Sequence, residues 1–227
     1  MCSFETSCDS RTLHQLRAIM TIIFLVLTAA VAVTEHSSAA TQVSQPDTSQ
    51  WKIHRSAQWG FYISAPPDWD QLSIPMGNSR MTLRRKLDPA NTKSLSCSIS
   101  TSDEPRTIGM SQQDINELML RNGPPSIQEV QASINPTGSS YHVQETSLAR
   151  IGEMTVYVYD LSGLFQRLDV QDVNREIRVS MFTPGKVFNF SCGVWADNVK
   201  DVNELYAQWL PTLRGIFSTV GVEPGRP

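Results

Sequence analysis

Along residues 175–217 the spacing of apolar side chains changes once, from every second residue to every third or fourth. In 176–182, Ile177, Val179 and Met181 alternate with polar neighbours. After Thr183-Pro184-Gly185 the alternation resumes over 186–195 with Phe188, Phe190, Cys192 and Val194. That pattern predicts a β-hairpin with one buried face. From Asp201 onward, Val202, Leu205, Tyr206, Trp209, Leu210, Leu213, Ile216 and Phe217 fall on one stripe of a helix, which must bury it against the apolar side of the sheet. Pro211 lies within that helix and predicts a bend, because it removes one backbone hydrogen bond.

Upstream, short strands are predicted at 51–55 and 59–65 around a Ser56-Ala57-Gln58 turn, and again at 80–87 and 94–100. Pro66 and Pro67 end the second strand, since neither can donate to a ladder. Residues 111–122 carry helix signals at both ends: Ser111 to cap, Asp114 in the first turn and Gly123-Pro124 to stop. Ile115, Leu118 and Met119 form its apolar stripe. The stretch 127–134 fits neither period cleanly, and Asn135-Pro136-Thr137-Gly138 reads as a turn. Residues 141–149 and 154–161 flank 150–153 as another hairpin, and the polar, acidic stretch 166–174 reads as a surface loop. Runs of strands, rather than alternating βαβ units, predict one α+β domain over 51–221. In it an antiparallel sheet is covered by the C-terminal helix and a second helix, and 222–227 form a tail.

The amino terminus changes the picture of where this domain works. Residues 18–33 are apolar apart from Thr21 and Thr28, and they follow Arg11 and Arg17. The run is shorter than the roughly 20 residues a spanning helix prefers, so 1–40 reads as an export signal cut after Ser38-Ala39-Ala40. The alternative is an uncleaved membrane anchor, the only membrane contact the sequence suggests. Residues 41–50, rich in Ser, Thr, Gln and Pro, read as a flexible linker. Without the leader, 187 residues carry 17 Lys and Arg against 19 Asp and Glu, a formal charge of −2. So small a charge argues against a nucleic-acid partner.

Cys2 and Cys8 leave with the leader, so the mature chain holds Cys97 and Cys192. Each shares its face with apolar neighbours, Leu95 and Ile99 for the first, Phe188 and Phe190 for the second. Two readings stay open: a disulfide formed in an oxidising compartment, or two buried thiols acting as small hydrophobes.

Three stretches carry a resemblance. Gly60-Phe61-Tyr62-Ile63-Ser64-Ala65-Pro66-Pro67-Asp68-Trp69 resembles the opening strand and Pro-x-x-Trp turn of the Mog/PsbP-like fold. Residues 148–157 resemble its central hairpin and 209–220 its closing helix. The resemblance implies an α/β/α sandwich of the PsbP-like or DcrB-like kind. It also implies a non-catalytic adaptor whose surface engages another, envelope or secreted, protein.

Candidate chemistry is sparse. His54 and His142 are the mature histidines, each without the paired spacing that places two ligands on one metal, and each reads as a half-exposed strand residue. No GxSxG elbow, phosphate-cradling loop or dinucleotide fingerprint is present, so no cofactor is implied. A hydrolase or metal-dependent enzyme would need a site assembled in space, and a lipid or small-ligand carrier would need an apolar cavity between helix and sheet. Trp51, Trp59 and Trp69, with Arg80, Arg84, Arg85 and Lys86, form the candidate binding surface. Core packing for the tryptophans and a charge-guarded sheet edge for the basic residues are the competing readings.

Overall fold

A computed structural model describes residues 46–134, 140–167 and 170–223 of the chain. The leader, the turn at 135–138 and the last residues of the tail lie outside the described residues. Strands β1 (Lys52–Ser56) and β2 (Phe61–Ala65) pair antiparallel, and β2 pairs in turn with β10 (Gly221–Val222). This small sheet takes in Val222, counted with the tail in the sequence. Among the described residues the large sheet has seven strands. In spatial order they are β3 (Asp70–Gln71), β4 (Met81–Lys86), β5 (Ser94–Glu104), β9 (Gly185–Ala196), β8 (Val170–Thr183), β7 (Met154–Arg167) and β6 (Ser140–Ile151). All its pairings are antiparallel.

Helix α1 (Gln112–Asn122) begins with a capping box in which Ser111 and Asp114 satisfy each other's backbone N–H. Helix α2 (Ile127–Ile134) starts the same way, with Ser126 accepting from the Glu129 N–H and Glu129 accepting from the Ser126 N–H. The Ser126-Ile127-Gln128-Glu129 pattern decides a stretch that periodicity left open. Helix α3 (Val199–Ser218) is capped by Asn198 and runs continuously through Pro211.

One face of the large sheet carries the main core. The stripe of α3 meets Ile177, Val179, Phe188, Phe190 and Cys192, and Leu213 and Ile216 are wholly buried. Each such side chain contributes about 1.5–3 kcal/mol by leaving water. Phe61 of the small sheet closes the same core, its ring edge-on to Phe188 and Phe190 at 6.2 and 6.4 Å. A polar clasp fixes the helix laterally. The Tyr206 hydroxyl donates to Asp160 (3.1 Å), which Arg175 also pairs (3.2 Å) while lying 4.5 Å over the Tyr206 ring. Burial, with the charge of Asp160 beside it, raises the Tyr206 phenol well above its ordinary value.

Cys97 and Cys192 face each other across β5 and β9 and are joined by a disulfide. Several sequence expectations need correction. Of the stretch read as a loop, 166–167 and 170–174 are strand, because β7 and β8 stay paired out to Arg167 and Val170, and 168–169 lie outside the described residues. Val173, packed with Ala196 and Val202, anchors that extension, and the ladder satisfies backbone groups whatever the side chains. Leu118 is exposed rather than buried, since α1 rests on the sheet through Ile115 and Met119. His54 is not a half-exposed strand residue. It is 3% exposed, its Nδ1 is 3.2 Å from Gln71 Oε1, and burial lowers its pKa.

Candidate functional site

The second face of the large sheet is polar and only partly covered. Because side chains alternate along a strand, the residues between the core positions all point here. Three rows run across β5, β9 and β8: Ser100, Asn189 and Ser180; Ser98, Ser191 and Arg178; Ser96, Gly193 and Glu176. Helix α2 covers the β6–β7 side, where Val130 packs on Val143 and Leu161. On the opposite side the loop before β4 folds inward, its Met76 N–H donating to Thr82 Oγ1 (3.1 Å). Between these walls lies a groove of about 810 Å3, floored by the serines and Asn189 and flanked by Tyr141, Tyr159 and Trp195.

The centre of the groove is a closed hydrogen-bonded set. Glu176 is 4% exposed, and one carboxylate oxygen accepts from Arg178 (2.6 Å) while the other accepts from Ser191 (2.7 Å). Gly193 makes this arrangement sterically possible. A Cβ there would stand 2.6 Å from the Glu176 Cβ and 2.5 Å from the Arg175 carbonyl. Ser180 donates to Asn189 (2.7 Å), and the Trp195 indole N–H donates to Ser96 Oγ (3.0 Å). Burial pushes the Tyr159 phenol up to about 12, and burial, then the nearby Glu176, raises Tyr141. Both phenols therefore stay neutral at ordinary pH, beside an ion pair whose charges cancel.

The residues singled out in the sequence are not gathered into one surface. Trp69 is 1% exposed and belongs to the core, so it presents no ring to a partner. Trp51 lies against α3 at Gly215, beside Pro46. Trp59 carries the Arg80 guanidinium 3.9 Å above its ring. Arg84 reaches Ser94 (3.4 Å) on the polar face, whereas Arg85 points the other way, paired with Asp68 (2.9 Å) and 4.4 Å over Trp209 of α3. Lys86 is exposed at the strand end. These side chains therefore divide between opposite faces of the sheet. The signal that marks the groove was present in the sequence as Ser94, Ser96, Ser98 and Ser100, a serine at every second position opposite buried Leu95, Cys97 and Ile99.

Among the described residues no three His, Cys, Asp or Glu side chains come together as a metal site, and no helix is long and apolar enough to cross a membrane. The space between α3 and the sheet, where a lipid carrier would need its cavity, is packed by Phe61, Phe188, Phe190 and Leu213. His142 is exposed on β6.

No family model matches the sequence, and no curated protein matches it. Among solved structures, the chain is similar to cyanobacterial PsbP (CyanoP) from Synechocystis sp. PCC 6803, at 10% identity and a TM-score of 0.49, over 76% of this chain and 92% of that one. It is similar to LpqN, involved in cell envelope biogenesis of Mycobacterium tuberculosis, at 14% identity and a TM-score of 0.41, over 77% and 91% of the two chains. It is also similar to the Saccharomyces cerevisiae Ran-binding protein Mog1p, at 10% identity and a TM-score of 0.41, over 76% and 95%. PsbP and Mog1p, the namesakes of the fold that the sequence resembles, are both among these structures, each at a TM-score below 0.5, and the likeness assigns no activity.

Proposed function

We propose that this chain is an exported, non-catalytic binding domain that engages another envelope or secreted protein through the polar face of its large sheet. The observation that carries the reading is the incomplete cover of that face. Short Ser and Asn side chains floor a concave groove beside half-buried aromatic rings, whereas a face built only for solvation has no need of walls. Binding rather than catalysis fits the chemistry at its centre, because both oxygens of Glu176 are engaged and neither His54 nor His142 lines the groove. Export is supported by the Cys97–Cys192 bridge, since such bonds persist in oxidising compartments, and by the apolar segment at 18–33.

The test is capture from cell envelopes with wild type, Ser98→Trp, which fills the groove, and Gln208→Trp on the outer side of α3. The expected result is a partner retained by wild type and Gln208→Trp and lost by Ser98→Trp, with all three melting alike. Capture indifferent to Ser98→Trp would sink the proposal, as would turnover of any substrate abolished by Glu176→Gln.

A further inference from the structure

Resting on that reading of the polar face, we infer that the groove takes a neutral saccharide chain carried as a glycan on the protein partner. Sugar rings are amphipathic, with flat C–H faces and hydroxyls around the edge, and they pair with aromatic faces whose surroundings offer short polar groups. Trp195 supplies such a face. Its indole N–H is held by Ser96 (3.0 Å), and its ring lies 5.3 Å from Phe165, which in turn stands edge-on to Tyr141 at 5.1 Å. Rings already fixed by their neighbours lose little freedom on binding.

The floor matches the other half of the ligand. Ser98 and Ser100 are hydroxyls that both donate and accept, Ser191, whose proton goes to Glu176, still accepts, and Asn189, whose Oδ1 takes the Ser180 hydroxyl, adds amide N–H donors. Sugar hydroxyls both donate and accept, so they can meet the acceptor that Ser191 leaves, the donors of Asn189, and Ser98 and Ser100 in either direction. The volume of about 810 Å3 lies within the usual range for a ligand site and leaves room for a short run of sugar rings.

Charge argues against the other classes. Arg178 is bonded to Glu176 at 2.6 Å, so an anionic ligand meets a guanidinium whose charge is already answered. A cation meets Glu176, with both oxygens taken by Arg178 and Ser191, and exposed Glu129, whose Oε2 already accepts the Ser126 N–H and hydroxyl at the start of α2. An extended peptide binds sheets by adding to a free strand edge, yet the groove lies over β5, β9 and β8, inner strands paired on both sides. An acyl chain would have to desolvate the serine floor without replacing its hydrogen bonds.

The experiment titrates the whole exported domain with neutral tetrasaccharides of glucose, mannose, galactose and N-acetylglucosamine, and with sulfated counterparts, following Trp fluorescence and backbone amide shifts. We expect saturable binding of at least one neutral oligosaccharide, shifts at Ser98, Asn189, Ser191 and the Trp195 indole, and no gain from sulfation. Trp195→Ala should weaken it about tenfold, the scale of one lost ring contact. Ser98→Trp, which leaves Trp195 in place, should abolish it, and amide spectra of both variants report that the fold is kept. Enzymatic deglycosylation of the captured protein should end its capture; capture that survives deglycosylation, or that falls on insoluble polysaccharide instead of a glycoprotein, would overturn the inference. Groove-dependent capture of a protein without glycans, with no neutral sugar bound, would overturn the saccharide inference and leave the recognition surface standing. Capture and sugar binding both indifferent to Ser98→Trp would overturn the two together.

Discussion

The two faces of the seven-stranded sheet are built by alternate residues of the same strands. On β5, Leu95, Cys97 and Ile99 face α3, and Ser96, Ser98 and Ser100 face the groove; on β9, Phe188, Phe190 and Cys192 oppose Asn189, Ser191 and Gly193. The first face is closed by a 20-residue helix and a second sheet, with Leu213 and Ile216 removed from water. The second is left partly open beneath an eight-residue helix. The difference teaches a division of labour. Hydrophobic burial and the disulfide hold the fold from one side, so the other side is free to carry polar groups that would cost stability in a core.

If that division is right, perturbing the first face should cost stability and perturbing the second should cost binding. The largest loss should follow removal of the bridge. Cys97→Ser with Cys192→Ser should cost about 2–5 kcal/mol, read as a shift of the urea midpoint that reductant reproduces in wild type. A loss below about 0.5 kcal/mol would mean that the covered face holds without its staple. Leu213→Ala, at a wholly buried site of α3, should cost about 2–5 kcal/mol by lost transfer energy and the cavity left behind. On the open face, Gly193→Ala forces a Cβ against the Glu176 side chain and should cost about 1–3 kcal/mol while disturbing the groove. Ser191→Ala removes one hydrogen bond to Glu176 and should cost about 1 kcal/mol, the smallest of the stability changes, with a larger effect on ligand binding.

His54 sharpens the comparison through pH. Burial lowers its pKa from the ordinary 6.5, so the folded state binds that proton more weakly than the unfolded chain. Its contribution is therefore complete above about 6.5 and is lost as the pH falls through the lowered folded value. Thermal midpoints measured from pH 7.5 down to 5 should decline in wild type and decline less in His54→Phe. Identical slopes would remove His54 from the acid sensitivity of the fold.

Much of the covered face was legible in the sequence, because a period-2 run that feeds a 3.6-period stripe has few ways to bury both. Ile177, Val179, Phe188, Phe190 and the α3 stripe lie where that spacing put them. The groove was legible only as a polar alternation. Periodicity says which residues share a face, but it does not say whether a helix will cover that face, and α2 was hidden in a stretch of mixed period whose capping box was the deciding signal. The basic and tryptophan cluster misled for a related reason. Residues close in sequence on a strand alternate between faces, which sends Arg84 to the groove side and Arg85 to Trp209. The β7–β8 extension was missed because polar strand residues look like loop when their partner strand is not known.

The most direct test of the polar face as the recognition surface is site-specific photo-crosslinking in intact native cells. A photoreactive residue is placed at Asn189 on the groove floor and, in a separate protein, at Gln208 on the outer side of α3. If the polar face is the recognition surface, a discrete adduct forms from position 189 and none from 208. Adducts from 208 alone would contradict it.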